Sequence, residues 1–282
     1  MEIFWLLAGY AGLGLFAGAI AGLLGVGGGL IIVPILVALY TLQGFPPASL
    51  VQLAVGTSLA TIVFTALSSL GAHHRRGAVD WPVMAQLSAG IVLGAWLGGV
   101  LAHWMGGALL ALAFGVFELL VAAQLSLGRP PAPHRTAPGR LRNGVAGVLI
   151  GALSALLGIG GGTLTVPYLV WHNVGVHRAI GTSAACGLPI ALVGALGFAL
   201  AGRGAANLPA GSSGYIYWPA VAAISVTSVA AAPLGARLAH RLDQARLKRV
   251  FALFIGVLGV WMIARNLPWS GDLGARAEAA LF

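Results

Sequence analysis

Charge is scarce in this chain: only 7% of its 282 residues are Asp, Glu, Lys or Arg, whereas soluble globular domains carry roughly 25%. Hydrophobic residues make up 59%. Three uncharged segments, 3–72, 81–117 and 143–171, each exceed the ~20 residues that an α-helix needs to cross the ~30 Å hydrocarbon core of a bilayer. This composition excludes a soluble domain and predicts an all-α polytopic membrane protein.

Reactive side chains are scarce as well. The chain has one cysteine, Cys186, inside an apolar run, so an intrachain disulfide is excluded and a packing role is favoured. No cluster of His, Cys, Asp or Glu has the spacing of metal ligands. No nucleophile–base pair stands out, and the glycine-rich residues 25–29 lack the Lys-Ser/Thr of a phosphate-binding loop. The sequence therefore predicts no cofactor, no metal and no catalytic residue, and so no enzyme.

The charge that is present is mainly positive, with a formal net charge of +9. The basic residues lie in short connectors between apolar runs, which indicates membrane topology rather than nucleic-acid binding. The amino terminus has no basic region, and the apolar run that follows is too long for a signal peptide. We therefore expect this run to remain in the mature protein.

An internal repeat divides the chain into two halves. Residues 18–34 (GAIAGLLGVGGGLIIVP) match residues 151–167 (GALSALLGIGGGTLTVP). Three shorter blocks recur in the same order: Gly-Thr-Ser at 56–58 and 181–183, Trp-Pro at 81–82 and 218–219, and Leu-Ala-His at 101–103 and 238–240. The sequence therefore predicts two transmembrane repeats of about four helical segments each, 1–127 and 143–282, joined by a basic, proline-rich cytoplasmic linker at 128–142.

The basic connectors predict how the two repeats face the membrane. Residues 73–76, 128–142 and 240–249 are strongly basic, and the positive-inside rule assigns them to the cytoplasm. Segment 143–171 then enters and leaves the membrane on the cytoplasmic side, and segment 3–40 on the outer side. This is an inverted-topology repeat with broken or re-entrant first segments. If each broken segment crossed once instead, residues 240–249 would lie outside, so inversion is favoured.

The glycine-rich block of each repeat is the best candidate for a substrate site. Glycine costs a helix about 1 kcal/mol relative to alanine, so we expect a break there and a new helix beginning near residue 28. Backbone N–H groups at a helix start bind anions, and at membrane depth they must face protein or water. The alternative is that the glycines only permit close helix packing. The candidate substrate-binding glycines are Gly27, Gly28, Gly29, Gly160, Gly161 and Gly162.

Hydroxyl and charged side chains extend this candidate site. The repeated Gly-Thr-Ser motifs supply Thr57, Ser58, Thr182 and Ser183, which can donate hydrogen bonds to an anion without adding charge. Ordinary bonding within or between helices is an equal alternative for them. Arg178 could attract anions at the cytoplasmic mouth, although an arginine at a helix end also reaches to the membrane interface without any such role.

Glu118 is the one acidic residue deep in an apolar run. An intramembrane carboxyl is a functional hypothesis by default, and one interpretation is a protonated group that couples transport to protons. The other interpretation is a plain structural pairing. The equivalent position of the second half, Ile255, is apolar, so the repeat does not support a coupling role.

Several of these segments together make the chain resemble the sulfite exporter TauE/SafE family of membrane transporters over nearly its whole length. They are 22–34 (GLLGVGGGLIIVP), 54–58 (AVGTS), 77–81 (GAVDW), 156–167 (LLGIGGGTLTVP) and 177–183 (HRAIGTS). The resemblance implies a multi-pass carrier of the bacterial inner membrane for small sulfur-containing anions such as sulfite, thiosulfate or organosulfonates.

From the repeat and the resemblance we expect alternating access around a central anion site between the two halves. The expected partners are the small anion and the lipid bilayer, with no nucleic acid, and a homodimer stays open. Two other functions also stay open: an anion channel, and a membrane-embedded assembly or redox accessory protein.

Overall fold

The computed structural model describes residues 2–24, 28–127, 139–239 and 243–266. Gly27 and most of the predicted linker lie outside these residues. The described residues form nine α-helices and a short 3-10 helix at Gly202–Gly204. The α-helices are α1 (Glu2–Leu24), α2 (Gly29–Leu42), α3 (Leu50–Arg75), α4 (Trp81–Leu127), α5 (Arg140–Leu157), α6 (Gly162–Trp171), α7 (Val176–Ala201), α8 (Trp218–Ala239) and α9 (Gln244–Asn266).

Among the described helices, seven are long and apolar enough to cross a membrane. The longest, α4, has 47 residues and would measure about 70 Å if it were straight, at ~1.5 Å per residue. It breaks at Gly106, whose φ of 71° and ψ of 162° are not helical and are readily adopted only by glycine. The apolar runs of the sequence predict separate helices near 81–102 and 107–127, joined by a connector at 103–107. The two arms, 81–105 and 107–127, match these helices, with one glycine in place of the connector. The prediction of an all-α polytopic membrane protein is confirmed.

The helices on either side of each glycine-rich block run antiparallel. In the first half, the Tyr10 hydroxyl lies 2.8 Å from Gln43 Oε1, so the start of α1 meets the end of α2. In the second half, the Tyr168 hydroxyl donates to Asn143 Oδ1 at 2.8 Å, so the start of α5 meets α6. Both broken segments are therefore helical hairpins whose two ends lie close together.

The first helix of each half packs along the fourth helix of the other half. α1 packs along α8, and α5 packs along the first arm of α4. Glycines make this possible, since a Cβ at these positions would overlap the backbone of the neighbouring helix. Each close contact of α1 with α8 has an equivalent between α5 and α4. Gly14 contacts Ile224 as Gly147 contacts Leu87, Gly18 contacts Ser228 as Gly151 contacts Ile91, and Gly235 contacts Ala19 as Gly98 contacts Ala152. Close approach through small residues is the usual basis of helix association in lipid.

Two further contacts join helices that are equivalent under the repeat. α3 packs on α7, and the second arm of α4 packs on α9. The contacts that fix their relative direction are Gly56 with Phe198 and Leu59 with Gly194 in the first pair, and Gly115 with Ile263 and Ala122 with Gly256 in the second. Residue numbers rise on one helix as they fall on the other, so both pairs are antiparallel.

The interior of the protein lies around α2 and α3. In α3, 78% of the apolar span is buried, against 28% in α1 and in α9. The outer helices instead expose large apolar side chains, among them Trp5, Leu15 and Phe16 of α1 and Leu253 of α9. A broad exposed apolar surface of this kind suits contact with lipid.

The close approach of α4 and α5 predicts a specific sensitivity at Gly94. A Cβ there would overlap the carbonyl oxygen of Val148, so we expect Gly94→Ala to destabilise the protein by about 1–3 kcal/mol through overpacking. Gly12→Ala is the matched control, because no atom lies within 4 Å of a Cβ at Gly12. The measurement is the melting temperature in detergent, and equal melting temperatures for the two variants would contradict the close approach.

Candidate functional site

The two glycine-rich blocks meet between the halves. Gly29 lies so close to the second block that a Cβ on it would overlap the carbonyl oxygen of Gly158. Gly158 ends α5 with a φ of 67°, a left-handed conformation that favours glycine. Ser58 of α3 donates a hydrogen bond to the same Gly158 carbonyl at 2.8 Å. All three residues are buried, so the breaks form one interior junction.

The start of α6 lies at this junction and packs on α7. A Cβ at Gly161 would lie 3.1 Å from the carbonyl oxygen of Ser183 and 3.3 Å from the nitrogen of Gly187. Gly160 is buried just before it, and Gly162 is the first residue of α6. The structure therefore brings Ser183 together with the glycines that sequence analysis assigned to the site.

The start of α2 is built in a similar way. Gly28 precedes the helix and its carbonyl accepts hydrogen bonds from the N–H groups of Ile31 and Ile32, both at 3.0 Å. Neither Gly28 nor Gly161 has a side chain that could cap its helix. Both helices therefore begin in the buried region between the halves, and their first-turn N–H groups would favour a bound anion there.

The two threonines of the Gly-Thr-Ser motifs bind the connectors that precede the Trp-Pro helices. Thr57 Oγ1 accepts a hydrogen bond from the Tyr217 backbone N–H at 3.0 Å, and Thr182 Oγ1 accepts one from the Asp80 N–H at 2.9 Å. Tyr217 and Asp80 are equivalent, because each immediately precedes Trp-Pro. Each threonine therefore ties its helix to a connector of the other half.

The glycine of each motif serves the same contact. A Cβ at Gly56 would overlap the carbonyl oxygen of Tyr215, and a Cβ at Gly181 would overlap that of Ala78. The connector backbone can lie against α3 and α7 only because these two positions lack side chains. The motif thus combines a close approach at glycine with a hydrogen bond at threonine.

An aromatic cluster closes one end of the region between the halves. It consists of Tyr10, Tyr40, Phe45 and Tyr217, whose rings contact one another with centroids between 4.9 and 6.3 Å apart. The Tyr40 hydroxyl also donates to Thr57 Oγ1 at 3.2 Å. Tyr10 and Tyr40 are almost fully buried, so this end is tightly packed.

Polar side chains occupy the equivalent end of the second half. Arg178 lies 3.4 Å from Asp80 Oδ2, and the Asn143 amide donates to Gln86 Oε1 at 2.7 Å. The Arg178 side chain is 62% exposed. Of the predicted site residues, Arg178 therefore lies at the rim of the protein in an ion pair, separate from the buried junction.

Glu118 lies where the second arm of α4 packs on α9. Its side chain is fully buried, and a Cβ at Gly259 would lie 3.1 Å from the Glu118 Cβ. Neither carboxyl oxygen has a hydrogen-bond partner among the described residues. Because a buried carboxyl without a partner is costly, its retention calls for a functional explanation.

No group of three or more His, Cys, Asp or Glu side chains in the described ranges could hold an ion. A surface groove of about 500 Å³ lies between the second arm of α4 and α9, and it is apolar apart from Ser126 and Arg249. The concentration of hydroxyls and helix starts at the junction makes that region the candidate site.

Sequence analysis gave no role to Asp80, Tyr40 or Tyr217. A signal was available for Asp80 and Tyr217, since both directly precede a repeated Trp-Pro block and a repeated block often carries a repeated contact. Tyr40 offered no such signal. Its partners come from α1, α3 and the connector before α8, and they meet only in the folded protein.

Comparison with known proteins identifies the family. The family model of the sulfite exporter TauE/SafE matches residues 10–262. A probable membrane transporter protein of Haemophilus influenzae is 36% identical over 254 residues, covering 89% of this chain and 96% of the relative. A probable membrane transporter protein of Methanocaldococcus jannaschii is 27% identical over 260 residues, covering 89% and 92%. No solved structure matches the chain.

The chain therefore belongs to the sulfite exporter TauE/SafE family, as its repeated motifs predict, and it is an integral membrane protein of a transporter family.

The threonine–connector contacts predict the effect of a conservative pair of substitutions. Thr182→Val leaves the Asp80 N–H without its acceptor, and an unsatisfied buried donor costs about 1–3 kcal/mol, so we expect a lower melting temperature in detergent. Thr182→Ser keeps the oxygen and should melt close to the wild type. If valine and serine variants melted at the same temperature as the wild type, the hydrogen bond would not stabilise the contact between the halves.

Proposed function

We propose that the protein is a carrier rather than an enzyme, and that it moves small sulfur-containing anions such as sulfite, thiosulfate or an organosulfonate across the bacterial inner membrane by alternating access. The observation that carries this proposal is the buried junction, where the start of α2 lies against Gly158 and Ile159 in the break of the second half. The description of the family as sulfite exporters supports a sulfur anion as the cargo.

An inverted repeat of residues 1–127 and 143–282 is part of the proposal. A two-fold axis along the membrane normal would make equivalent helices parallel, whereas an axis in the membrane plane makes them antiparallel. α3 and α7 run antiparallel, and so do the second arm of α4 and α9. These directions support an axis in the membrane plane, which is the arrangement of many secondary transporters.

The basic connectors assign the two ends to sides of the membrane. With residues 73–76 and 128–142 in the cytoplasm, the end that holds Asp80 and Arg178 faces inward and the aromatic cluster faces outward. Alternating access requires that one end open while the other stays closed. The aromatic contacts would form the outer closure, and the polar contacts would form the inner one, with Arg178 attracting anions to the cytoplasmic mouth.

The anion would bind at the first turns of α2 and α6. Without a Cβ, the glycines there let an oxyanion approach the backbone N–H groups closely. Ser183 adds a hydroxyl, while Ser58 lies beside these turns and donates to the Gly158 carbonyl. Thr57 and Thr182, the neighbours of these serines in the chain, hold the connectors in place. The glycines assigned to the site are Gly27, Gly28, Gly29, Gly160, Gly161 and Gly162.

Substitution of Gly161 tests this site. We expect Gly161→Leu to abolish stabilisation by sulfite, thiosulfate or methanesulfonate in a thermal-shift series on the detergent-purified protein, because the side chain would fill the approach to the α6 start. Ligands that bind the folded state raise its apparent stability. Gly71→Leu is the matched control, since nothing lies within 4 Å of a Cβ at Gly71. A folded Gly161→Leu protein with the wild-type response would place the anion elsewhere.

Glu118 is proposed as the group that couples transport to protons. It is fully buried, has no hydrogen-bond partner among the described residues, and faces Gly259 of α9. The described basic residues of α9 lie at the two ends of that helix: Arg246, Lys248, Arg249 and Arg265. A carboxyl in such a position can take up and release a proton when the α4–α9 contact opens to water.

Replacing the carboxyl by an amide separates coupling from binding. In proteoliposomes we expect Glu118→Gln to lose accumulation of sulfite driven by a pH gradient, because an amide carries no transferable proton, while exchange of sulfite across the membrane continues. Asp243→Asn is the control, as Asp243 is an exposed carboxyl paired with Arg246. Wild-type accumulation by Glu118→Gln would exclude Glu118 as the coupling group.

A further inference from the structure

The two glycine-rich breaks differ in polarity. Within the matched blocks, Ser154 of the second half takes the position of Ala21, and Thr165 takes the position of Ile32. The blocks share five glycines and the proline, whereas Gly22 is replaced by Ala155. Thr163 takes the position of Leu30 as well, so the second half carries hydroxyls at three positions where the first half is apolar.

Two of these residues, Ser154 and Thr165, flank the break in the second half. Ser154 lies in the last turn of α5, where its carbonyl accepts a hydrogen bond from the Ile159 N–H at 2.9 Å. Thr165 lies in the first turn of α6, where its N–H donates to the Gly161 carbonyl at 2.8 Å. Thr165 Oγ1 would lie 3.3 Å from a Cβ at Gly161, so it lies beside the contact between Gly161 and α7.

The side-chain oxygens of Ser154 and Thr165 are without hydrogen-bond partners in the described part of the chain, and both side chains are fully buried. Thr61 and Ser228 are paired, since Thr61 donates to the Thr57 carbonyl and Ser228 to the Gly14 carbonyl, both at 2.9 Å. Ser49 and Ser225 are buried without partners among the described residues as well, but neither lies at a helix break. Buried polar groups without partners are uncommon and costly. Thr165 at the start of α6 and Ser154 at the end of α5 are two such groups on the two sides of one helix break, which favours a ligand there that supplies acceptor atoms.

The surroundings of these hydroxyls contain dipoles but no cation. Within the residues whose burial is described, no lysine or arginine is buried. An anion between Ser154 and Thr165 would therefore be stabilised by hydroxyls and by the first-turn N–H groups of α6. Because the cost of moving an ion out of water rises with the square of its charge, a second negative charge would be poorly compensated there.

We propose that the anion site is asymmetric and lies at the break of the second half, where Ser154 and Thr165 donate hydrogen bonds to a singly charged sulfur oxyanion, such as hydrogensulfite or an alkanesulfonate, in preference to a dianion such as sulfate. This inference rests on the proposed carrier function and narrows it. It adds Ser154 and Thr165 to the binding residues. It attributes the preference for a singly charged anion to the lack of a buried lysine or arginine among the residues whose burial is described.

The test is calorimetric titration of the full-length protein in detergent with methanesulfonate, with sulfite at mildly acidic pH, and with sulfate at matched ionic strength. The wild type should bind the two monoanions at least about tenfold more tightly than sulfate. Thr165→Val and Ser154→Ala should each weaken monoanion binding by about tenfold or more, the loss expected for a hydrogen bond to a charged group. Thr165→Ser, which keeps the hydroxyl, should bind within about twofold of the wild type.

Thr227→Val is the matched control, because the Thr227 hydroxyl donates to the Ala223 carbonyl of its own helix at 2.9 Å and its loss should leave affinity unchanged. The melting temperature without ligand identifies any variant that fails to fold, and Thr165→Ala then replaces Thr165→Val in the comparison with Thr165→Ser.

Each other outcome contradicts a different part of the account. Unchanged monoanion affinity in both Thr165→Val and Ser154→Ala would overturn the assignment to the second half while the carrier function stands. Equal affinity of the wild type for sulfate and methanesulfonate would overturn the preference for single charge. A wild type that binds none of the three anions would overturn the proposed function and this inference with it.

Discussion

Backbone N–H and C=O groups cannot be left facing lipid, and the two helix breaks of this protein persist because other helices cover them. α2, with 14 residues, is too short to cross a bilayer, and it is buried along most of its length. The Gly158 carbonyl, freed at the end of α5, is taken up by Ser58 of the other half. The enclosure of these broken segments determines where the remaining helices lie and gives the protein its polar interior.

Enclosure of this kind depends on small residues at corresponding positions of both halves. α1 lies on α8, and α5 lies on the first arm of α4, through the same sequence of glycine–backbone contacts. Neither half could cover its own break in this way, since each first helix packs on a helix of the other half. The two ends of the interior nevertheless differ in chemistry, aromatic at one and ionic at the other, so opening them need not require the same energy.

Much of this organisation could be predicted from the sequence. The paired glycine blocks predicted both breaks, and the starts of α2 and α6 lie there, because glycine and proline act locally on the backbone. Residues 103–107 were predicted as a connector, but Gly106 alone breaks α4. The bonding of Thr57 to Tyr217 and of Thr182 to Asp80 could not be read from the sequence, since those partners lie far apart in the chain. The ion pair of Arg178 with Asp80 could not be predicted for the same reason.

If an anion passes through a site that opens alternately to each side of the membrane, sulfite flux into proteoliposomes will show the kinetics of a carrier. The initial rate of influx is measured against external sulfite, with and without sulfite inside the vesicles. We expect a rate that saturates and that rises when sulfite is present inside the vesicles, because a loaded carrier returns its site by exchange. A rate that grows linearly with concentration and ignores internal sulfite would indicate a channel and contradict the account, as would the absence of any flux above that of empty vesicles.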